Sequence, residues 1–345
     1  MKKIALLAPG NLKLQTVDSE MQIPDGMVKV DVSACAICGS DLALLSGKRD
    51  MSKELYFGHE FSGVVTEMSE GSSGVKPGDR VASELSRTCG QCWYCLNGME
   101  NYCRSMNDAL LPGGFTEETF VRSEPEYSFL SNIPDSIDDI TATLMEPTNC
   151  AYRIASSAEM KPGDSVVVFG IGAMGLIAAM ILKKLGAGCV VGVGRRPARL
   201  EQVRKTGIFD AVVANDEKGM AQIREICGNH GADIVIEATG TAKVLVDAIQ
   251  TVRYGGKIVV GSVYHGGIEN FEPLPIFRKE LTIVGAKGPY PYRKSNGSSV
   301  VVGVMNMLQD ELKKIIRVYD YQDALKAFED AKSGDAIKAV IKFKS

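Results

Sequence analysis

The 345-residue sequence lacks a long apolar run and lacks a strong excess of one charge. No stretch approaches the roughly 18 apolar residues that indicate a membrane span. The formal net charge is -3, which gives no reason to expect nucleic acid or an anionic membrane as a partner. The opening segment MKKIALLAPGN has too short an apolar part for a signal peptide and no small-residue cleavage site. We therefore expect a cytoplasmic protein.

Histidine is also scarce, with three in the chain. His59 lies in the turn FGHEFSG and is followed directly by Glu60. Cys38 lies in another turn, CAICGSDL, and Glu146 lies in MEPTNC. Singly, these residues have ordinary interpretations as a buried thiol, a hydrogen-bonded ring or a solvated carboxylate. Together they supply the cysteine, histidine and carboxylate that an open catalytic zinc site needs.

Cysteine, in contrast, occurs nine times, and four of the nine follow a C-x2-C-x2-C-x7-C pattern in CGQCWYCLNGMENYC. Such a cluster could be a disulfide staple, a redox pair or a metal cage. A reducing compartment disfavours disulfides, and the overlapping pattern lacks the strand-to-helix setting of a thioredoxin-type pair. The spacing therefore predicts a closed structural zinc site in a lobe of about residues 86–106. Its ligands are Cys89, Cys92, Cys95 and Cys103.

The pattern of apolar residues changes along the chain. Short alternating strands such as MVKVDVSAC and FSGVVTEM precede Glu146 and indicate a mostly β domain. Six apolar strands with helical stretches between most of them follow, and they predict a doubly wound parallel sheet in an α/β fold. The tail beyond Gly288 adds two helices and a strand and is expected to return to the first domain. The predicted domains are residues 1–150 with 288–345, and residues 151–287.

A G-x-G-x-x-G motif, formed by Gly170, Gly172 and Gly175, directly follows the first of these six strands and opens a helix. In that setting it predicts a dinucleotide whose pyrophosphate lies at the helix N-terminus. The next strand ends at Gly194, where an enzyme that uses NAD carries an acidic residue. Arg195 and Arg196 follow and offer charge-assisted hydrogen bonds to a 2′-phosphate. The sequence thus predicts NADP(H) in preference to NAD(H).

These motifs, in the order CGSD, GHEFSGVV, VKPGDRV, CGQCWYC with its fourth cysteine, MEP, VVVFGIGAMG and EATG, make the chain resemble a known family. It is similar over essentially its whole length to the zinc-containing medium-chain dehydrogenase/reductases, above all to their sorbitol, polyol and threonine dehydrogenase branch. The resemblance implies a GroES-like catalytic domain interrupted by a Rossmann domain, and a homodimer or homotetramer.

The resemblance also implies roles for individual residues. Cys38 and His59 would bind the catalytic zinc, with Glu60 or Glu146 as the third ligand. Asp41 would support the site, and Ser40 would take the proton of the substrate. Two departures from the family pattern are Ala43, where a histidine often continues the proton relay, and Arg153, where relatives usually carry histidine. The expected cofactor-binding residues are Gly170, Gly172, Ala173, Met174, Gly175, Gly194, Arg195, Arg196, Arg199, Ala238, Thr239, Gly261 and Ser262.

The function expected from the sequence is a zinc-dependent, NADP(H)-preferring alcohol or polyol dehydrogenase that carries one catalytic and one structural zinc. Its substrate would be a secondary hydroxyl of a polyol, sugar alcohol or cyclitol, or the corresponding ketone. One alternative is a zinc-free enoyl or quinone reductase of the same superfamily. The other is a non-enzymatic NADPH-binding regulatory protein. The complete set of metal ligands argues against both alternatives.

Overall fold

The computed structural model describes residues 1–19, 22–49, 57–84, 88–103, 113–124, 127–264, 266–290 and 299–344. The chain divides into two compact units. Unit 1 comprises Met1–Asn149 and Pro289–Ser345, and unit 2 comprises Cys150–Gly288. The domain boundaries expected from the sequence, after residues 150 and 287, lie beside these divisions. Parts of the predicted zinc lobe, residues 86–87 and 104–106, lie outside the described residues.

The strands are numbered in chain order. They are β1 (Lys2–Ala8), β2 (Asn11–Thr16), β3 (Met27–Ala36), β4 (Glu60–Met68), β5 (Arg80–Ser83), β6 (Glu118–Glu124), β7 (Tyr127–Ser128), β8 (Leu130–Asn132), β9 (Ser165–Phe169), β10 (Cys189–Gly194), β11 (Ala211–Ala214), β12 (Ala232–Glu237), β13 (Val252–Val260), β14 (Thr282–Gly285), β15 (Ile316–Asp320) and β16 (Lys338–Lys342).

The helices are α1 (Gly39–Leu45), α2 (Trp93–Leu96), α3 (Asp139–Ala142), α4 (Met145–Ser157), α5 (Ala173–Lys184), α6 (Pro197–Thr206), α7 (Glu217–Cys227), α8 (Ala242–Thr251), α9 (Leu274–Arg278), α10 (Val300–Lys313) and α11 (Ala324–Ser333). Within the described ranges, none of these helices has the length and apolarity required to cross a membrane.

Unit 2 is built on a six-stranded sheet in the order β11-β10-β9-β12-β13-β14, and every pairing in it is parallel. The central strand β9 reads SVVVF and is buried along its whole length, because helices cover both faces of such a sheet. The doubly wound Rossmann sheet predicted from the sequence is confirmed. Strand order reverses between β9 and β12, which is the position where this fold binds dinucleotides.

Local residue choices explain where the unit 2 elements begin and end. Helix α6 starts at Pro197, whose fixed φ suits the first helical turn, and it stops at Gly207, which adopts the left-handed conformation with a φ of 67°. Helix α8 stops at Thr251. The following residues begin β13 instead, since Val252 pairs with Ala232 of β12.

Unit 1 contains a mostly antiparallel sheet whose main path is β15-β16-β3-β4-β5-β8, with β6 also paired to β3. The tail returns to this sheet, as expected, because β16 pairs antiparallel with β3. The sequence analysis missed β15, a short strand that is held by its parallel pairing with β16 rather than by its own apolar pattern. Phe328 of α11 packs against Phe57 and Phe115, which anchors the tail in the core of this unit.

Candidate functional site

Two turns with candidate metal ligands lie at the same end of neighbouring strands in unit 1. Strand β3 ends at Ala36, β4 begins at Glu60, and these two residues are partners in the antiparallel ladder. Cys38 comes directly after β3, and His59 comes directly before β4. Residues opposite each other in such a ladder are about 5 Å apart. The register therefore brings the two turns together although 20 residues of sequence separate their ligands.

The Sγ atom of Cys38, a ring nitrogen of His59 and a carboxylate oxygen of Glu60 all lie within 4.8 Å of one another. Zinc binds such ligands at about 2.0 to 2.3 Å, so one ion could contact all three atoms. Glu146, the other third ligand that the sequence left open, is buried in the first turn of α4 but does not belong to this group. Of the two glutamates, the geometry thus favours Glu60.

Asp41 fixes both turns in place. Its carboxylate is fully buried and accepts hydrogen bonds from the backbone N–H of Cys38 at 2.8 Å and of Gly58 at 3.0 Å. One oxygen also lies 4.0 Å from Nδ1 of His59. Because one side chain holds the backbone beside both Cys38 and His59, it sets the distance between these two ligands. This arrangement matches the supporting role that the family resemblance implies for Asp41.

Lys338 is a residue of the site that the sequence analysis missed. It lies on β16, which is placed beside the site by the pairing of Val340 with Ala36. Lys338 is 4% exposed, and its ammonium group forms an ion pair with the carboxylate of Glu60, which is 1% exposed. Lysine is almost never fully buried unless it is paired. The position of this lysine in the apolar strand KAVIK could therefore have indicated a buried ion pair from the sequence.

Burial and nearby acids set the proton affinities around this cluster. Burial raises the pKa of Asp41 to about 6. Burial alone would lower the pKa of His59, but the adjacent Cys38 together with Asp41 and Glu146 raises it well above its usual value. A site that favours a proton on His59 this strongly is rich in negative charge. The same charge would stabilise a metal cation, so the donor set and the electrostatics both fit zinc.

Ser40 lies in the first turn of α1, for which Cys38 is the N-cap residue. Its Oγ atom is buried and has no hydrogen-bond partner within the described part of the chain. A buried hydroxyl is ordinarily paired. An unpaired one two residues from Cys38 is suited to a substrate hydroxyl, and the proton-accepting role of Ser40 stays a prediction.

The four cysteines of the lobe also converge. All four Sγ atoms lie within 4.8 Å of one another, with Cys95 Sγ at 3.9 Å from Cys89 Sγ and 3.5 Å from Cys92 Sγ. A zinc ion with four sulfurs at about 2.3 Å separates those sulfurs by roughly 3.8 Å, whereas a disulfide joins them at about 2.05 Å. All nine cysteines are free thiols. The geometry fits a closed zinc site and not a disulfide staple.

The environment of the lobe sulfurs also fits a bound zinc ion. A backbone hydrogen bond from Gln91 lowers the pKa of Cys89, while burial and neighbouring thiols raise the pKa of Cys95 to about 12. Thiolates in such close contact repel one another unless a cation is shared between them. The lobe is also tied to the rest of unit 1, because the hydroxyl of Tyr290 donates to Gly98 O at 2.5 Å and the N–H of Tyr290 donates to Oδ1 of Asn149 at 2.9 Å.

Unit 2 contains a cavity of about 460 Å³ at the carboxyl end of its parallel strands. Eight of the predicted cofactor residues line it, namely Gly170, Gly172, Gly194, Arg195, Arg196, Arg199, Ala238 and Thr239. Five others do not, namely Ala173, Met174, Gly175, Gly261 and Ser262. The lining also includes Phe169, Ile171, Val193, Asn215 and Val244, which were not among the predicted cofactor residues.

The glycine turn has the geometry that a bound pyrophosphate requires. Gly170 has a φ of 104°, and a Cβ atom on Gly175 would lie 1.9 Å from Gly170 O, so neither position accepts a side chain. A Cβ atom on Gly172 would instead point into open space. This space lies at the N-terminus of α5, where backbone N–H groups favour phosphate. The residues of the turn therefore fit a dinucleotide.

A Rossmann unit and a β-rich unit with two cysteine-containing clusters form the architecture of a zinc-type dehydrogenase, and comparisons with known proteins agree. Residues 24–135 match the family model described as alcohol dehydrogenase GroES-like domain, and residues 173–299 match zinc-binding dehydrogenase. Sorbitol dehydrogenase of Halalkalibacterium halodurans is 30% identical over 91% of each chain. Probable D-xylulose reductase A of Arthroderma otae is 33% identical over 91% of this chain and 89% of the relative.

Among solved structures, 2R,3R-butanediol dehydrogenase from Bacillus subtilis superimposes with a TM-score of 0.79 at 27% identity, covering 99% of each chain. The chain belongs to the zinc-containing medium-chain dehydrogenase/reductase superfamily, in its polyol dehydrogenase branch, and is an oxidoreductase that acts on CH–OH groups. The membership inferred from the sequence motifs is confirmed.

Proposed function

We propose that the protein is a zinc-dependent, NADP(H)-preferring dehydrogenase of a secondary hydroxyl in a polyol, sugar alcohol or cyclitol. The observation that carries the proposal is the cluster of Cys38, His59 and Glu60 beside the unpaired hydroxyl of Ser40. The substrate class rests on the relatives, whose names specify sorbitol, xylulose and butanediol. These compounds share hydroxyl-bearing carbons next to one another.

Different residues of unit 1 would bind the metal, position its ligands and accept the proton. Cys38, His59 and Glu60 would hold the metal, and Asp41 keeps their turns together. When bound, zinc polarises the substrate oxygen and the nicotinamide exchanges the hydride with the substrate carbon. Ser40 Oγ accepts the proton of the substrate hydroxyl in the oxidation direction. Ala43 offers no second relay group, so beyond Ser40 the proton would pass through water, a hydroxyl of the cofactor or another side chain.

The preference for NADP(H) is supported by the charges of the unit 2 cavity. Three guanidinium groups line it, from Arg195, Arg196 and Arg199, and none of the described residues that line it is acidic. Paired hydrogen bonds from guanidinium suit a phosphate, whereas the two ribose hydroxyls of NAD call for a carboxylate. We therefore assign the 2′-phosphate to this arginine cluster.

A second zinc per chain is proposed for the lobe, where it would close the loop structurally. Its thiols must stay reduced to bind metal, which suits the cytoplasm.

We also propose that the protein is a homo-oligomer. Strand β14 forms an edge of the unit 2 sheet, its Ile283 is 37% exposed, and Phe277 on the preceding helix α9 is 80% exposed. An apolar sheet edge of this kind is suited to pairing with a second copy. Sedimentation velocity would contradict this if it found only monomers.

The function is tested with protein purified under reducing conditions without chelators. Zinc per chain is measured, and turnover is screened against polyols, cyclitols and their ketones with NADP(H) and NAD(H). Two zinc ions per chain and turnover of at least one such substrate are expected. Cys38→Ser should abolish turnover and remove one zinc, whereas Cys189→Ser, outside both clusters, should retain both ions and the activity.

Each alternative function gives a different result in this screen. Reduction of enones or quinones without a need for zinc would indicate the zinc-free reductase. Binding of NADPH without turnover of any of these compounds would indicate the regulatory protein. Either result would overturn the proposal.

A further inference from the structure

Glu237 is a buried acid that the proposed chemistry does not use. It is the last residue of β12, and its side chain is completely buried. One carboxylate oxygen accepts hydrogen bonds from the N–H of Thr239, at 2.7 Å, and from the Thr239 hydroxyl. The other accepts a hydrogen bond from Ser262 Oγ at 2.8 Å. A carboxylate that is shielded from solvent needs such hydrogen-bond donors, because an unpaired buried charge is strongly destabilising.

These bonds join two segments of chain. Thr239 lies just after β12, and Ser262 lies just after β13. Ser262 Oγ also accepts a hydrogen bond from the N–H of Gly240 at 3.0 Å, and the N–H of Gly261 donates to the backbone oxygen of Glu237 at 2.8 Å. The single carboxylate is therefore the centre of a network that fixes one post-strand segment against the other.

The position of this network in the sheet indicates which part of the dinucleotide lies beside it. A dinucleotide crosses a doubly wound sheet where the strand order reverses, with one half on each side. The arginine cluster follows β10, on one side of β9, and takes the adenosine half. Strands β12 and β13 lie on the other side of β9. Thr239, which Glu237 holds directly, lines the cavity on that second side.

We propose that Glu237 is a positioning residue for the half of the dinucleotide beyond the pyrophosphate. Its carboxylate keeps the segments after β12 and β13 in the conformation that receives the nicotinamide nucleoside. The inference rests on the proposed dinucleotide-dependent function, and it does not depend on whether NADP or NAD is preferred. Glutamine has the same shape but carries no charge, and its N–H₂ group cannot accept the hydrogen bonds that one of the two carboxylate oxygens receives.

The test uses the intact protein and two ligands, NADPH and 2′,5′-ADP, which ends before the nicotinamide half. For Glu237→Gln, the dissociation constant of NADPH should rise about 10-fold or more, as expected for the loss of a hydrogen bond to a charged group. The dissociation constant of 2′,5′-ADP should stay within about twofold, since the arginine cluster is untouched. Zinc content should not change.

Ser262→Ala removes one bond of the network and should weaken NADPH binding in the same selective way, which keeps the test decisive where Glu237→Gln does not fold. Glu225→Gln, an exposed change on α7, should leave both affinities unaltered. Wild-type affinity for NADPH in Glu237→Gln, or equal weakening of both ligands, would overturn the proposal. Should the wild type prefer NADH, the same comparison is made with NADH and ADP, so an error in cofactor preference and an error in the role of Glu237 give different results.

Discussion

Ser40 is the single residue whose replacement most directly tests the proton path. Ser40→Ala should lower turnover by roughly 100- to 10,000-fold, the range that a positioned proton acceptor contributes. Affinity for the cofactor should hardly change and zinc content should not change, because Ser40 is not a metal ligand and its hydroxyl would make at most one hydrogen bond to the cofactor. Ser40→Thr keeps a hydroxyl at the same position and serves as the matched control, with most of the activity retained. Parental turnover in the alanine variant would show that the proton leaves by another route.

Cofactor choice is a second property of individual residues. Arg195→Gln should raise the KM for NADP by about 10- to 100-fold, because a charge-assisted hydrogen bond to phosphate is lost, and should leave the KM for NAD nearly unchanged. Lys205→Gln, which removes a cation from an exposed position of the following helix α6, is the control. A wild-type kcat/KM that favours NAD over NADP would contradict the assignment of the 2′-phosphate.

Replacing Gly194 with an aspartate, the residue type that binds the ribose of NAD, is a less suitable test of cofactor choice. A Cβ atom there would lie 2.4 Å from Cδ1 of Ile171 and 3.2 Å from Cδ2 of Leu200. Gly194→Asp would therefore require Ile171 to move, and a loss of affinity could come from that displacement. The arginine variant changes charge without this steric conflict.

Individual site residues differ in how far the sequence could reveal them. Cys38, His59 and Glu60 follow from short motifs, because each turn has its own local pattern. Lys338 lies in no such motif, and although Glu237 begins the motif EATG, the roles of both residues depend on which strands become neighbours. Lys338 reaches the site only through the pairing of β16 with β3, and that pairing has no signature within the sequence of either strand.

Among the structural elements, the four-cysteine lobe should depend on metal for its order. Cys103→Ser should reduce the zinc content by one ion per chain and lower the melting temperature, since binding of a structural zinc contributes directly to folding. The zinc bound at Cys38 should remain. Metal analysis and thermal unfolding measure both effects, with Cys189→Ser as the control. An unchanged zinc content would contradict a closed zinc site in the lobe.

The amino end of the unit 2 sheet is held by Asp233 on β12. Its carboxylate accepts hydrogen bonds from the N–H and hydroxyl of Ser165 on β9, and it pairs with Arg253 on β13 at 2.7 Å. Burial opposes ionisation, but the bonds from Arg253 and Ser165 lower the pKa of Asp233 to about 2. Three strands thus share one ionised group.

Asp233→Asn should therefore lower the free energy of unfolding, by about 1 to 2 kcal/mol for the lost charged hydrogen bonds. Because the folded pKa lies below the unfolded value of about 3.9, the wild type keeps this advantage at every pH well above 4. The difference between wild type and variant should be constant from pH 8 to pH 5 and should shrink only as the pH falls from about 4 towards 2. Urea titrations at several pH values measure it, and a difference that vanishes near pH 6 would exclude Asp233 as its origin.

At the scale of the whole molecule, the two units were predictable to different degrees. The parallel sheet of unit 2 follows from local pattern, because each strand is a short apolar run such as SVVVF and each crossover is a recognisable helix. Unit 1 depends on pairings between distant segments. Strand β15 was therefore missed, since only its partner β16 stabilises the sequence IRVYD as a strand.

The split of unit 1 across the sequence also imposes an order on its maturation. In the proposed two-zinc enzyme, the four sulfurs of the lobe lie within Cys89–Cys103, so this site can bind metal early in synthesis. The catalytic site, in contrast, lacks the ion pair between Glu60 and Lys338 until the ribosome has made all of unit 2. At 5 to 20 residues per second, the interval between synthesis of Glu60 and synthesis of Lys338 lasts roughly 15 to 55 s. The nascent chain thus acquires its structural ion first, and the catalytic site closes last.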